Sequence, residues 1–241
     1  MRPLFFLCAL FISSFSSVYG QVGYGPEIGV GMSTMHFAPP TAPILYTSAS
    51  VSSIFSGKIG GLIDVALNKH AYFQAGLNFS RKGATRDFSY YKNDSFNEQV
   101  HQTLILNYFD LPLSVVYKSG MQGKGRFIVG IGATPSYIVG GSNKLRDHQV
   151  FRDTLTNTND NLKIAVGQTV GGFDIGVNLS AGYELPTGLF LRAYYTVGVN
   201  DIGTGTEIDK NRMWGIAAGY IFGKGRNIRK ETDDLIDKSS Q

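Results

Sequence analysis

Cysteine is all but missing from this chain: Cys8 is the only one among 241 residues. It lies inside an N-terminal apolar run, too early and too poorly placed to read as a lipoprotein anchor. Disulfides, thiolate catalysis and cysteine metal sites are therefore excluded from the mature protein. No stretch of 18 or more apolar residues follows, so a transmembrane helix is excluded as well. Charge of one sign is not in large excess: 22 Lys and Arg face 18 Asp and Glu, interleaved along the chain. A net charge of +4 so distributed gives no basis for nucleic-acid binding. Histidine occurs four times, and no two lie at metal-ligand spacing. Tryptophan occurs once, yet Tyr and Phe number 13 and 16. Glycine, at 30 residues, stands well above the usual share of ~7%.

The ends read as appendages. Arg2, the apolar run 4–12 and small residues up to Gly20, with Val18 at −3, form a signal peptide over 1–20. Residues 21–222 are left as one β domain. The segment 223–241 begins basic and turns acidic, which makes it a polar periplasmic tail.

The dominant pattern in the middle is alternation with period two. Phe173, Ile175, Val177, Leu179, Ala181 and Tyr183 share one face, opposite Asp174, Gly176, Asn178, Ser180 and Gly182. The same pattern gives eight strands at about 24–35, 57–67, 71–82, 102–118, 126–139, 171–184, 189–200 and 212–222. Short links (68–70, 119–125, 185–188) alternate strictly with long ones (36–56, 83–101, 140–170, 201–211). An up-and-down barrel with short periplasmic turns and long extracellular loops requires that asymmetry. Aromatics on the apolar faces cluster at strand ends: Phe109 with Tyr117, Phe127 with Tyr137, Phe173 with Tyr183, Trp214 with Phe222. Each pair is separated by 8 or 10 residues, the span of a tilted strand between two interfacial girdles. The expected fold is thus all-β, an eight-stranded antiparallel transmembrane β-barrel in the outer membrane.

Several segments carry a family resemblance. Tyr108-Phe109-Asp110-Leu111-Pro112-Leu113 resembles a strand of the PorT-like outer-membrane β-barrel proteins. Ser80-Arg81-Lys82-Gly83, Gly130-Ile131-Gly132-Ala133-Thr134-Pro135 and the stretch 174–195 are similar to that family too, in the same order and over 57–222. The resemblance implies an eight-stranded outer-membrane barrel and a link to machinery that secretes gingipain-type proteases. The tail beyond Phe222 departs from the bare family domain.

Candidate sites fall into three groups. Glu27, Lys58, Asp64, Asp110, Asp174, Glu184 and Arg192 are expected to face the lumen. Eight strands enclose a space that side chains fill, so these charges are expected to pair with one another and to block diffusion. His36, His70, His101 and His148 form the second group. Lipid A-modifying barrels use a Ser/His/acid set at the outer rim, and Ser33, Ser89, Asp94 and Glu98 lie near His36 and His101 in sequence. No spacing fixes a nucleophile beside a base, so no catalytic residue is assigned and no enzyme is expected. The third group is the outer loops, with Phe88, Tyr90 and Tyr91 and the stretch 148–164. Three glycosylation sequons, at Asn78, Asn93 and Asn178, are discounted. No cofactor or metal is assigned. The expected partners are outer-membrane lipid and envelope proteins reached through the outer loops or the tail. Surface adhesion or ligand capture remains the alternative to a structural role.

Overall fold

The computed structural model describes residues 22–37, 46–93, 96–120, 124–151, 154–167, 170–202 and 209–223. The expected signal peptide, 1–20, and all but Gly223 of the expected tail lie outside them. The strands are β1 (Val22–Phe37), β2 (Tyr46–Ala66), β3 (Ala71–Asn93), β4 (Phe96–Asp110), β5 (Leu113–Lys118), β6 (Arg126–Phe151), β7 (Thr154–Lys163), β8 (Phe173–Glu184), β9 (Leu189–Gly198) and β10 (Asp209–Tyr220). All pairings between them are antiparallel.

The pairings close on themselves. β1 pairs with β2 on one side and β10 on the other, and the ring continues through β3, β4/β5, β6, β8 and β9. Every wall strand therefore satisfies its backbone groups on both sides, which hydrocarbon demands of anything that spans it. The eight expected wall strands are all present. The run 102–118 is one wall position built from two strands, β4 and β5, interrupted at Leu111 and Pro112. Proline has no N–H to give to the ladder. Its carbonyl compensates by accepting from Gly76 N at 2.9 Å, while Leu111 N donates to Pro135 O at 2.8 Å.

Odd positions point outward on β2, β3, β4/β5, β6, β8 and β9, as Phe55, Ile59, Leu77, Val115, Ile131, Leu179 and Leu191 do. The outward face of β1 is even, with Tyr24, Ile28 and Val30. The apolar residues that a soluble protein would bury are the exposed ones here, because the surrounding solvent is lipid. Phe79, Phe109, Tyr137 and Phe173 are matched in register across β3, β4, β6 and β8 and form one continuous aromatic row. Tyr117, Phe127, Tyr183 and Phe222 mark the other edge of the band. Phe127 and Tyr183 meet edge-on at 5.1 Å. The step from Phe127 to Tyr137 is ~33 Å of strand, or ~25 Å of height at the usual tilt, which matches the apolar band of an outer-membrane barrel.

The expected strand ends need correction on the outer side. β2, β3, β4 and β6 run far past the aromatic row, and β7, which lies wholly within the expected loop 140–170, pairs with β6 alone. These segments make a five-stranded sheet, ordered β2–β3–β4–β6–β7, that rises from one side of the barrel. From Phe79 to Asn93 it carries β3 roughly 45 Å of strand beyond the membrane band. Thr85 and Thr103 meet at 3.1 Å, and Arg86 donates to Gln102 at 3.1 Å, so polar cross-strand pairs hold this part together.

Replacing Ile131, which faces lipid midway between the aromatic rows, by arginine should lower the unfolding free energy in vesicles by about 2–4 kcal/mol. Urea titration of refolded protein measures this, and a neutral outcome would place Ile131 outside the hydrocarbon.

Candidate functional site

The inward faces carry two residue types, glycines and long polar side chains, and one makes room for the other. A Cβ on Gly29 would lie 2.9 Å from Lys58 Cε, and one on Gly219 would lie 2.3 Å from Phe190 Cζ. Among the described residues, the lumen holds five acids (Glu27, Asp64, Asp110, Asp174, Glu184) and five bases (Lys58, Lys82, Lys118, Arg126, Arg192). The sequence reading found all the acids but only Lys58 and Arg192 among the bases. Lys82, Lys118 and Arg126 share the inward parity of Ser80, Val116 and Ile128, which was the available signal.

These charges stack in three layers. Nearest the short turns, Lys118 Nζ donates to Asp64 at 2.5 Å and to Glu184 at 2.8 Å, and Arg126 donates to Glu184 at 2.5 Å. Arg126 also donates to the Tyr72 hydroxyl at 2.7 Å. The Tyr72 ring lies 4.3 Å beneath the Lys118 ammonium. Lys118 is 0% exposed, so nothing but these partners offsets its lost hydration. In the middle layer, Glu27 pairs with Lys58 at 2.5 Å and with Arg192, whose second nitrogen donates to Gln74 at 2.9 Å. In the outer layer, Asp110 accepts from Lys82 at 2.8 Å and from Ser80 and Ser136 at 2.6 Å each. Asp174 accepts from Asn211 at 2.9 Å. A cavity of about 60 Å³ between the middle and outer layers has room for a few waters and no solute of size.

Apolar side chains stopper both ends. Leu62, Val116, Ile128 and Phe190 pack around the periplasmic layer. At the outer mouth, Met35, Leu106, Tyr108 and Ile138 pack against Ile164, Val170 and Ile202 from the segments that follow β7 and β9. Those segments are tied over the opening by Ile138 N donating to Gly172 O at 2.9 Å and Gly171 N donating to Ile202 O at 2.7 Å. Every candidate lumen charge is thus placed in one filled interior, and the geometry offers them structural work.

The rim candidates do not converge. Ser33 is inside, where its hydroxyl bridges the backbone of Gly83 at 2.8 Å and accepts from Ser56 at 2.5 Å. His101 is hydrogen-bonded to Asp87 on the outer sheet, with each about half exposed. His70 sits in the periplasmic turn, with its ring nitrogen 3.1 Å from Lys118 O. His36 is exposed opposite Lys210, and His148 lies on the outer part of β6 opposite Gln99. Asp94 lies outside the described residues. Among the described residues, no group of three His, Cys, Asp or Glu is placed to hold a metal ion. Asn78 and Asn178 face the interior, and Asn178 donates to Thr134 at 2.8 Å and accepts from Ser114 at 3.0 Å.

A closed antiparallel wall, an apolar exterior between aromatic rows and a paired polar interior together define an outer-membrane β-barrel. The sequence matches the family model described as outer membrane protein beta-barrel domain over residues 13–203, and the chain belongs to that family. It is an outer-membrane protein. No curated protein matches it in sequence. Among solved structures it is similar to the attachment invasion locus protein Ail of Yersinia pestis, at 12% identity, covering 84% of this chain and 99% of that one with a TM-score of 0.37. It is similar too to the outer membrane protein OprG from Pseudomonas aeruginosa, at 10% identity, covering 86% and 100% with a TM-score of 0.40.

Lys118→Met removes the one cation that joins Asp64 to Glu184 and should cost about 3–5 kcal/mol of stability. Chemical denaturation in detergent would read this loss. A change within ~0.5 kcal/mol, the scale of ordinary surface substitutions, would show that the layer is hydrated.

Proposed function

We propose that this protein is a non-enzymatic interaction protein of the outer membrane that engages envelope partners through the sheet rising above its barrel. The observation that carries this reading is a contrast. Charge pairs and apolar stoppers occupy the lumen, whereas a five-stranded sheet stands far beyond the membrane, where partners can reach it. A lipid-embedded barrel offers other macromolecules only its loops, its turns and its ends, and here the outer end is the most elaborated. The resemblance to PorT-like proteins adds a direction, a role in assembling a secretion system, in which the tail after Phe222 would meet periplasmic partners. An adhesive or ligand-capturing role would use the same outer sheet.

One observation favours a lipid A-modifying enzyme, the hydrogen bond that orients the His101 ring on Asp87. Position argues against it. The pair lies eight residues past the Phe79–Phe109 row, ~26 Å of strand from the interface where acyl ester bonds lie.

Crosslinked pull-down from intact cells tests the proposal with three forms: full length, one with the β6–β7 hairpin shortened at 145–160, and one ending at Phe222. The proposal expects surface partners to vanish with the hairpin and periplasmic partners to weaken with the tail. Absence of partners in all three, together with altered lipid A acylation in a deletion strain, would transfer the function to an enzyme.

A further inference from the structure

The lipid-facing wall is not evenly convex. A groove of about 750 Å³ crosses β1, β2 and β3 within the apolar band, from Tyr24 and Phe222 at its periplasmic edge to Leu77 and Leu111 near the outer aromatic row. Its floor is Pro26, Gly61 and Ala75, and Tyr24, Ile63, Leu77, Leu111 and Phe222 stand around it. Pro26 and Gly61 face each other in register, and Ala75 lies across from Ile63. We infer that this groove is a binding site for one acyl chain of a glycerophospholipid of the inner leaflet.

The glycine at its centre is the first reason. Neighbouring glycines are required by close backbone packing. A Cβ would sit 1.6 Å from Tyr220 O at Gly25 and 2.1 Å from Leu77 O at Gly60. At Gly61 the nearest atom is Gly25 O at 3.4 Å, an ordinary contact. The fold accepts a side chain there, so the glycine serves to keep the floor low. Proline opposite it has no N–H to contribute to the ladder and carries only a compact ring on the outward face, so the floor stays low on both strands.

Shape and chemistry select the occupant. The lining is apolar and lies within the hydrocarbon. A second barrel presents a convex wall that cannot enter a concavity, while a flexible chain follows it. The segment 224–241 is rich in charge and unsuited to such a lining. Beneath the groove, the β2–β3 turn exposes Lys69 and His70 at the level of the phosphates. A lipid with its chain along Gly61 and its phosphate near Lys69 satisfies both ends, and the lysine favours an anionic headgroup.

Native mass spectrometry of the delipidated full chain, titrated with phosphatidylglycerol and with phosphatidylethanolamine, tests the site. One lipid should bind saturably, phosphatidylglycerol more tightly. Gly61→Phe should weaken it roughly tenfold, the worth of a couple of buried methylenes. Gly57→Phe is the control for bulk and folding. Gly57 faces lipid outside the groove, with only Gly29 O at 3.5 Å from its added Cβ. That variant should bind as the wild type does, and Lys69→Glu should abolish the headgroup preference. The inference fails if no saturable single lipid is found, if the two phenylalanine variants behave alike, or if Gly61→Phe abolishes a dimer in place of a lipid adduct.

Discussion

A charge held inside an eight-stranded barrel must find its opposite there, because the space is too narrow for water to do the work. That constraint organises the interior. Asp64 and Glu184 come from strands on different sides of the lumen, and Lys118 bridges them at 2.5 and 2.8 Å. Glu27 on β1 likewise collects Lys58 from β2 and Arg192 from β9. Glu27 and Lys58 belong to paired strands, whereas the chain from Asp64 through Lys118 to Glu184 crosses from β2 to β8, so the polar layers tie both neighbouring and distant strands as well as neutralising charge. The glycines follow from the same demand. Gly29 and Gly219 are small because Lys58 and Phe190 occupy the volume their side chains would fill.

Much of this was legible in the sequence. Lipid outside and packed polar groups inside impose a strict period of two. The stretch 173–183 displays it, and the strand parity and aromatic rows followed from it. What escaped detection lies where that contrast stops. The outer parts of β2, β3, β4 and β6 meet water, so apolar alternation no longer marks them. β7, Thr-Leu-Thr-Asn-Thr-Asn-Asp-Asn-Leu-Lys, has no apolar face at all and is held by backbone pairing with β6. Lys82, Lys118 and Arg126 escaped for another reason. Lys118 and Arg126 are terminal residues of β5 and β6, and Lys82 closes the expected strand 71–82, where basic residues usually reach for the interface; only their parity with Ser80, Val116 and Ile128 betrays that they turn inward. The loop residues Ile164, Val170 and Ile202, which cap the outer mouth, carried no periodic signal because they belong to no strand of the wall.

The same economy bears on function. Ion pairs and apolar stoppers occupy the interior, and the groove at Gly61 lies on the lipid face. Among the described residues, the outer sheet is the large feature that neither closes the barrel nor contacts lipid. Its polar cross-strand pairs, Thr85 with Thr103 and Arg86 with Gln102, keep it ordered in water. An ordered platform loses less entropy than a mobile loop when a partner docks.

Side chains close the lumen to any continuous path of water, and because Cys8 is the only cysteine an introduced thiol can be followed alone. Ser114, whose hydroxyl donates to Asn178 beside the central cavity, can be replaced by cysteine with little change in volume. Residues 21–241 bearing Ser114→Cys, folded in vesicles, are then exposed to a small cationic thiol reagent on either side. The thiol should stay unmodified for as long as the barrel is folded and react fully after denaturation. Rapid labelling of the folded barrel from either face would contradict it and would make the lumen an aqueous path.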